Sequence, residues 1–177
     1  MVIESDGKMT KAQAKEIANV SVQGRSLMKK PEAKTKDFFR FCKGAAAFCV
    51  LVLLAFGFMV ARGKGDALIY ICLGMTVVTL TMVFSVYYSV NKIYKTLLSR
   101  EGKVTVTLDA EGVEYDDHGS KKIKQNWNAI SFVRQCQEMI YFMPTDVTGM
   151  LVCVSVEYAQ GVKEFLKDGD IKVKTVW

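Results

Sequence analysis

Two uninterrupted apolar runs divide the chain: residues 44–61 (GAAAFCVLVLLAFGFMVA) and residues 67–90 (ALIYICLGMTVVTLTMVFSVYYSV) contain no charged side chain. A helix rises 1.5 Å per residue and the hydrocarbon core of a bilayer is about 30 Å thick, so about 20 apolar residues cross it. Both runs are therefore predicted to be transmembrane helices. The first is slightly short, and Lys43 and Arg62 at its ends can bury their aliphatic stems while their charged tips reach the interface. A 177-residue soluble chain could not cover two helices that are apolar on every face. Residues 62–66 (RGKGD) leave room only for a tight turn, which makes the pair an antiparallel hairpin with both chain ends on one side.

After residue 103 the period changes. Val104, Val106 and Leu108 alternate with Thr105, Thr107 and Asp109, the pattern of a strand with one covered face. DAEG (residues 109–112) reads as a hairpin turn before a short strand at residues 113–115, and DDHGS (116–120) as a second turn. Further strands are predicted at residues 121–125, 129–136, 139–143 and 150–154, the last after the turn PTDVTG (144–149). Residues 156–167 carry Tyr158, Val162, Phe165 and Leu166 at helical spacing, with Gly169 as the stop, and residues 171–176 remain as a tail or edge strand. Trp127 is expected to fill the core between sheet and helix, a ligand-stacking role being the minor alternative.

Ahead of the first apolar run, Thr10 and Gln13 have the spacing of a capping box, and Ile17 and Val20 predict a short, weakly amphipathic helix before Gly24. Pro31 suits the start of a second helical stretch, with Phe38, Phe39 and Phe41 near the interface. More than forty mostly polar residues precede the first run, which argues against a cleaved signal peptide.

Charge settles the expected orientation. Residues 1–43 carry ten Lys/Arg against five Asp/Glu, residues 91–103 four against one, and residues 104–177 eight against eleven. The basic excess, which includes Lys29, Lys30, Lys34, Lys36, Arg40, Lys43, Lys92, Lys95 and Arg100, flanks the apolar middle. Topology explains that pattern better than a nucleic-acid partner does, and the positive-inside rule puts both termini in the cytoplasm. Anionic headgroups are an alternative partner for the first cluster.

Candidate chemistry is sparse. Neither run holds an ionisable residue, the usual mark of a proton relay or ion pathway. Thr81, Ser85 and Ser89 recur every four residues and read as a face that packs against the first span. Cys42, Cys49, Cys72, Cys136 and Cys153 form no C-x-x-C pair, and His118 is the sole histidine. That excludes a disulfide framework and a zinc site as readings and fits a reducing compartment. Cys42 is a juxtamembrane lipidation candidate by position alone. His118 reads as a solvated turn residue rather than a metal ligand, Ser120 and the thiols lack a recognisable base, and no phosphate loop or hydrolase motif is present. No enzyme, metal or cofactor is expected. Lys121, Lys122 and Lys124 (in KKIK) are the β region's basic cluster and its weak candidates for lipid or partner contact; the plainer reading is a solvated edge strand.

Two spans followed by VTVTLDAEG, the W-x-x-I of Trp127 to Ile130, the IYFM strand and GVKEFLKD resemble the YcxB-like family of bacterial membrane proteins. The carboxyl-terminal domain of that family is similar to a bacterial pleckstrin-homology (PH) fold. The resemblance covers residues 44 to about 167 and implies fold and inner-membrane location rather than an activity. A proline and basic residue frequent in the family after the strand matching MLVCVSVEYA are missing here.

The expected architecture is a transmembrane α-helical hairpin plus an α+β or all-β PH-like domain of about six strands and a C-terminal helix. Its expected parts are a basic, partly helical arm (1–43), the hairpin (44–90), a linker (91–103) and the PH-like domain (104–177). The expected function is non-enzymatic: the cytoplasmic module binds a protein partner or scaffolds a membrane assembly, alone or as a homo-oligomer. A lipid-headgroup reader and a small accessory subunit of a transporter or enzyme complex are the alternatives.

Overall fold

In a computed structural model, residues 1–63, 66–119, 121–146 and 149–177 are described. The predicted turns RGKGD, DDHGS and PTDVTG lie in part outside the described residues, at positions 64–65, 120 and 147–148. The order of elements is β1 (Val2–Ser5), α1 (Lys11–Lys29), α2 (Thr35–Ala61), α3 (Ala67–Leu98), β2 (Val104–Leu108), β3 (Gly112–Asp116), β4 (Lys122–Asn126), β5 (Ile130–Gln135), β6 (Met139–Pro144), β7 (Val152–Ser155), α4 (Ala159–Asp168) and β8 (Lys174–Val176). Single 3-10 turns occupy Trp127–Ala129 and Val156–Tyr158.

The chain divides into two units, Met1–Ala33 with Lys92–Trp177, and Lys34–Asn91. This departs from the expected parts. The first 33 residues are no separate arm, because β1 pairs antiparallel with β2 and α1 packs on β6. The boundary expected at 90 agrees within one residue with the break after Asn91, whereas those at 43 and 103 followed composition and missed pairings between residues about a hundred positions apart.

In the β unit, strands run β1-β2-β3-β4 in one sheet and β7-β6-β5-β8 in the other, all neighbours antiparallel except β5 and β8. One core joins the sheets: Ile3, Val106, Leu108, Val113 and Tyr115 meet Ile130, Val133, Ile140, Phe142, Val152 and Val154, with Val162 and Leu166 of α4. A second core covers the other face of the β5-β6-β7 sheet, where Ile17, Val20 and Leu27 of α1 pack on Phe132, Met139, Tyr141 and Met143. β6 is consequently buried at every position, which explains why MIYFM is a continuous apolar run instead of an alternating one.

A β-bulge at the start of β5 serves both cores. Ile130 pairs with Pro144 and Phe132 with Met143, so Ser131 is the extra residue. The insertion reverses the alternation, sending Ile130 into the inter-sheet core and Phe132 into the core beneath α1.

α1 begins with the predicted capping box: the Gln13 amide N–H donates to Thr10 Oγ1 at 3.1 Å and the Thr10 N–H to Gln13 Oε1 at 3.0 Å. It does not stop at Gly24 but continues to Lys29. Glycine costs a helix interior about 1 kcal/mol, and burial of Leu27 one turn later offsets that. Pro31 lies in the turn after α1, and the next helix starts at Thr35.

The other unit holds the apolar parts of α2 and α3. Phe39 near the start of α2 and Tyr87 near the end of α3 have ring centroids 5.9 Å apart, so the two run antiparallel. Asp66 caps α3, accepting from the Ile69 N–H at 2.9 Å. The hydroxyl face expected to pack against the first span is not buried: Thr81 and Ser85 are exposed and donate to Val77 and Met82 carbonyls of their own helix. The buried positions of the hairpin are Cys42, Cys49, Ile69 and Thr76. Cys42 therefore does not present its thiol as the lipidation reading requires.

Candidate functional site

The basic cluster predicted as a weak contact site lies on β4, an edge strand of its sheet. Alternation turns Lys122 and Lys124 outward, and both are engaged by carboxylates of the neighbouring hairpin. Lys122 Nζ is 2.9 Å from Glu114, which lies diagonally across on β3, two residues from Asp116, the residue opposite Lys122, while Lys124 Nζ bridges Asp109, at 3.2 Å, and Glu111. Hydrogen bonding to these partners raises both lysines above their ordinary pKa. Lys121 is exposed, and its backbone N–H donates to Asp117 Oδ1 at 2.8 Å. The three residues thus form a charge-balanced edge more than a free cationic patch, the arrangement that discourages edge-to-edge pairing.

The DAEG turn is built on Asp109. Its Oδ1 accepts from the N–H groups of Glu111 and Gly112, both at 2.8 Å, and these bonds hold the carboxyl below its usual pKa. Its carbonyl oxygen receives Trp127 Nε1–H at 2.9 Å. Trp127 fills the predicted place between sheet and helix, its ring centroid 6.3 Å from that of Phe142 and 6.4 Å from that of Phe165. The indole is committed to packing and to this one hydrogen bond.

His118 occupies a left-handed turn position (φ 52°), its N–H donating to Asp116 Oδ1 at 2.7 Å and its Nε2 lying 2.8 Å from Thr105 Oγ1. Beside it, Arg100 pairs with Asp117 at 3.1 Å and lies over the Tyr115 ring. Burial raises the Tyr115 pKa, opposed by the Arg100 charge. Among the described residues no group of three or more His, Cys, Asp or Glu is arranged to hold a metal ion.

Sequence reasoning missed Glu16. Its carboxylate accepts from the N–H groups of Glu138 and Met139 and from the Tyr141 hydroxyl, each at 3.1 Å, and so pins α1 to the start of β6. At the other end of α1, Arg134 Nη1 donates to the Pro31 carbonyl at 2.8 Å. Nothing local marks Glu16, since its partners lie more than 120 residues away. Around this latch, burial pushes the Cys153 thiol up to about 12 and raises Cys136 and Tyr141 as well. Burial of this kind favours the protonated thiol over the thiolate.

A surface groove of about 370 Å³ lies between α1 and the β6–β7 connection, lined by Val20, Ser21, Met28, Met143, Pro144 and Leu151 among others. No titratable side chain lines it among the described residues. In comparison with protein-family models and with curated proteins, nothing matches this chain.

Proposed function

We propose that this chain is a two-span, non-enzymatic membrane protein whose β unit is a cytoplasmic PH-like module that binds a protein partner or organises an assembly at the bilayer. One observation carries the membrane part. α2 and α3 are long and apolar enough to cross a bilayer, yet only 6% and 11% of their most apolar stretches are buried. A core helix of a soluble protein is mostly covered. Here Phe48, Leu51, Leu54 and Phe58 of α2 and Ile71, Met75, Met82 and Phe84 of α3 are exposed, and an apolar surface of that extent needs lipid or another protein.

The PH-like reading is supported by the order of parts that the YcxB-like resemblance implies, strands followed by a helix, here in two packed, mostly antiparallel sheets whose shared core α4 seals. The cytoplasmic placement rests on the basic flanks of the hairpin. The preference for a protein partner over a headgroup reader at β4 rests on the pairing of Lys122 and Lys124 with Glu114, Asp109 and Glu111.

Alkaline carbonate extraction of cells making the full chain tests the anchor, and the protein is expected to stay in the membrane pellet. Recovery in the supernatant as a monomer without detergent would refute the reading. Cross-linking in native membranes tests the partner: a discrete adduct of reproducible mass is expected, and a bare monomer at every cross-linker dose counts against it.

A further inference from the structure

Along α2, Lys36, Arg40, Lys43, Ala47, Leu51 and Leu54 are spaced by three or four residues, so their side chains follow one another on a single helix face. All six are exposed. The buried positions Cys42 and Cys49 lie on the other side of the helix. This exposed face changes character along its length: three cations lie within its first three turns and only apolar groups follow.

Among the described residues these cations have no ion-pair partner. Among the described residues the ion pairs join Arg100 to Asp117, Lys122 to Glu114 and Lys124 to Asp109 and Glu111, and none involves Lys36, Arg40 or Lys43. Lys34 just before the helix is exposed too, and Asp37 is the one acid within residues 34–43. The contrast with β4 is chemical: lysines there meet carboxylates on the adjoining hairpin, whereas these face outward without one.

We propose that this face of α2 binds an anionic phospholipid, the phosphate held by Lys36, Arg40 and Lys43 and an acyl chain lying along Ala47, Leu51 and Leu54. The lengths agree. From Lys43 to Leu54 a helix rises about 16 Å, close to half of a hydrocarbon core of about 30 Å, the depth of one leaflet. Charge complementarity selects the headgroup, because a zwitterionic lipid brings no net charge to three exposed cations. The proposal rests on the membrane reading above and moves the lipid contact from β4 to the hairpin.

Native mass spectrometry of the detergent-solubilised full chain, equilibrated with equal phosphatidylglycerol and phosphatidylcholine, tests it. The wild type is expected to retain phosphatidylglycerol with roughly fivefold to hundredfold preference. The preference should fall in about 0.5 M NaCl through screening. Lys36→Gln/Arg40→Gln/Lys43→Gln should abolish it, while the charge-retaining Lys36→Arg/Arg40→Lys/Lys43→Arg and the β4 variant Lys122→Gln/Lys124→Gln should keep it. Equal retention of the two lipids by the wild type, indifference to salt, or loss of preference only in the β4 variant would overturn the proposal and leave the membrane anchor standing. A wild type that needs no detergent would instead remove the membrane reading on which it rests.

Discussion

Glu16 and Asp109 show how single carboxylates join distant or tightly turned backbone in this molecule. Glu16 serves two N–H groups and one hydroxyl at the β5–β6 turn, and a glutamine there offers one acceptor oxygen and an NH2 that faces donors. Glu16→Gln is expected to weaken α1 docking by about 1–3 kcal/mol and Tyr141→Phe by about 0.5–1.5 kcal/mol, read as faster amide exchange along α1 in the detergent-solubilised chain. Unchanged exchange in both would show that apolar packing alone holds the helix. At Asp109 the sign of the pH dependence follows from the lowered pKa. A carboxyl whose folded pKa lies below its unfolded value of about 3.9 contributes stability above that value and loses it as pH falls through the folded pKa. Asp109→Asn should therefore lower the Tm at pH 7 and flatten the acid limb of the Tm against pH curve. A variant with the wild-type acid limb would contradict this role.

At the level of elements, two glycines make opposite demands. Gly24 lies inside α1 with open space where a Cβ would go, so Gly24→Ala should stabilise the helix by about 0.5–1 kcal/mol. Gly112 opens β3 with its α-carbon against β4, and an added Cβ would meet the Gln125 carbonyl oxygen. Gly112→Ala should cost about 1–3 kcal/mol or more, since backbone cannot step aside as a side chain can. Thermal melts of the two variants that move in the same direction would contradict the pair. The strands β2 to β7 were legible because Val104 to Leu108 alternate and turn residues punctuate the runs that follow, while β8 was left open as a tail or edge strand. β1 was not, because four residues, VIES, carry too short a pattern to distinguish a strand from a tail. The bulge at Ser131 left no local mark either, since it matters only in the register against Pro144 and Met143.

At the scale of the whole molecule, the β unit takes its parts from both sides of the hairpin, which gives a sharp expectation about dissection. Residues 104–177 alone lack β1 and α1 and would expose Phe132, Met139, Tyr141 and Met143, so they should aggregate or stay unfolded. Joining residues 1–33 to 92–177 should restore a soluble, folded unit. Ala33 and Leu97 both pack on the core beneath α1, and about 12 Gly/Ser residues, with an end-to-end distance of about 19 Å, suffice to connect the ends. Circular dichroism and size exclusion of the two polypeptides decide it, and a well-folded 104–177 fragment would show β1 and α1 to be dispensable. Sequence alone determined the two long apolar helices, the capping box at Thr10, the strand-rich second half and the inward Trp127, because periodicity, run length and turn chemistry act between near neighbours. Tertiary structure alone decided that the first 33 residues complete the sandwich, that Glu16 latches α1 to β6, and that Lys122 and Lys124 are neutralised. Those outcomes depend on groups brought together by long-range strand pairing and burial, whose energetics no local window contains.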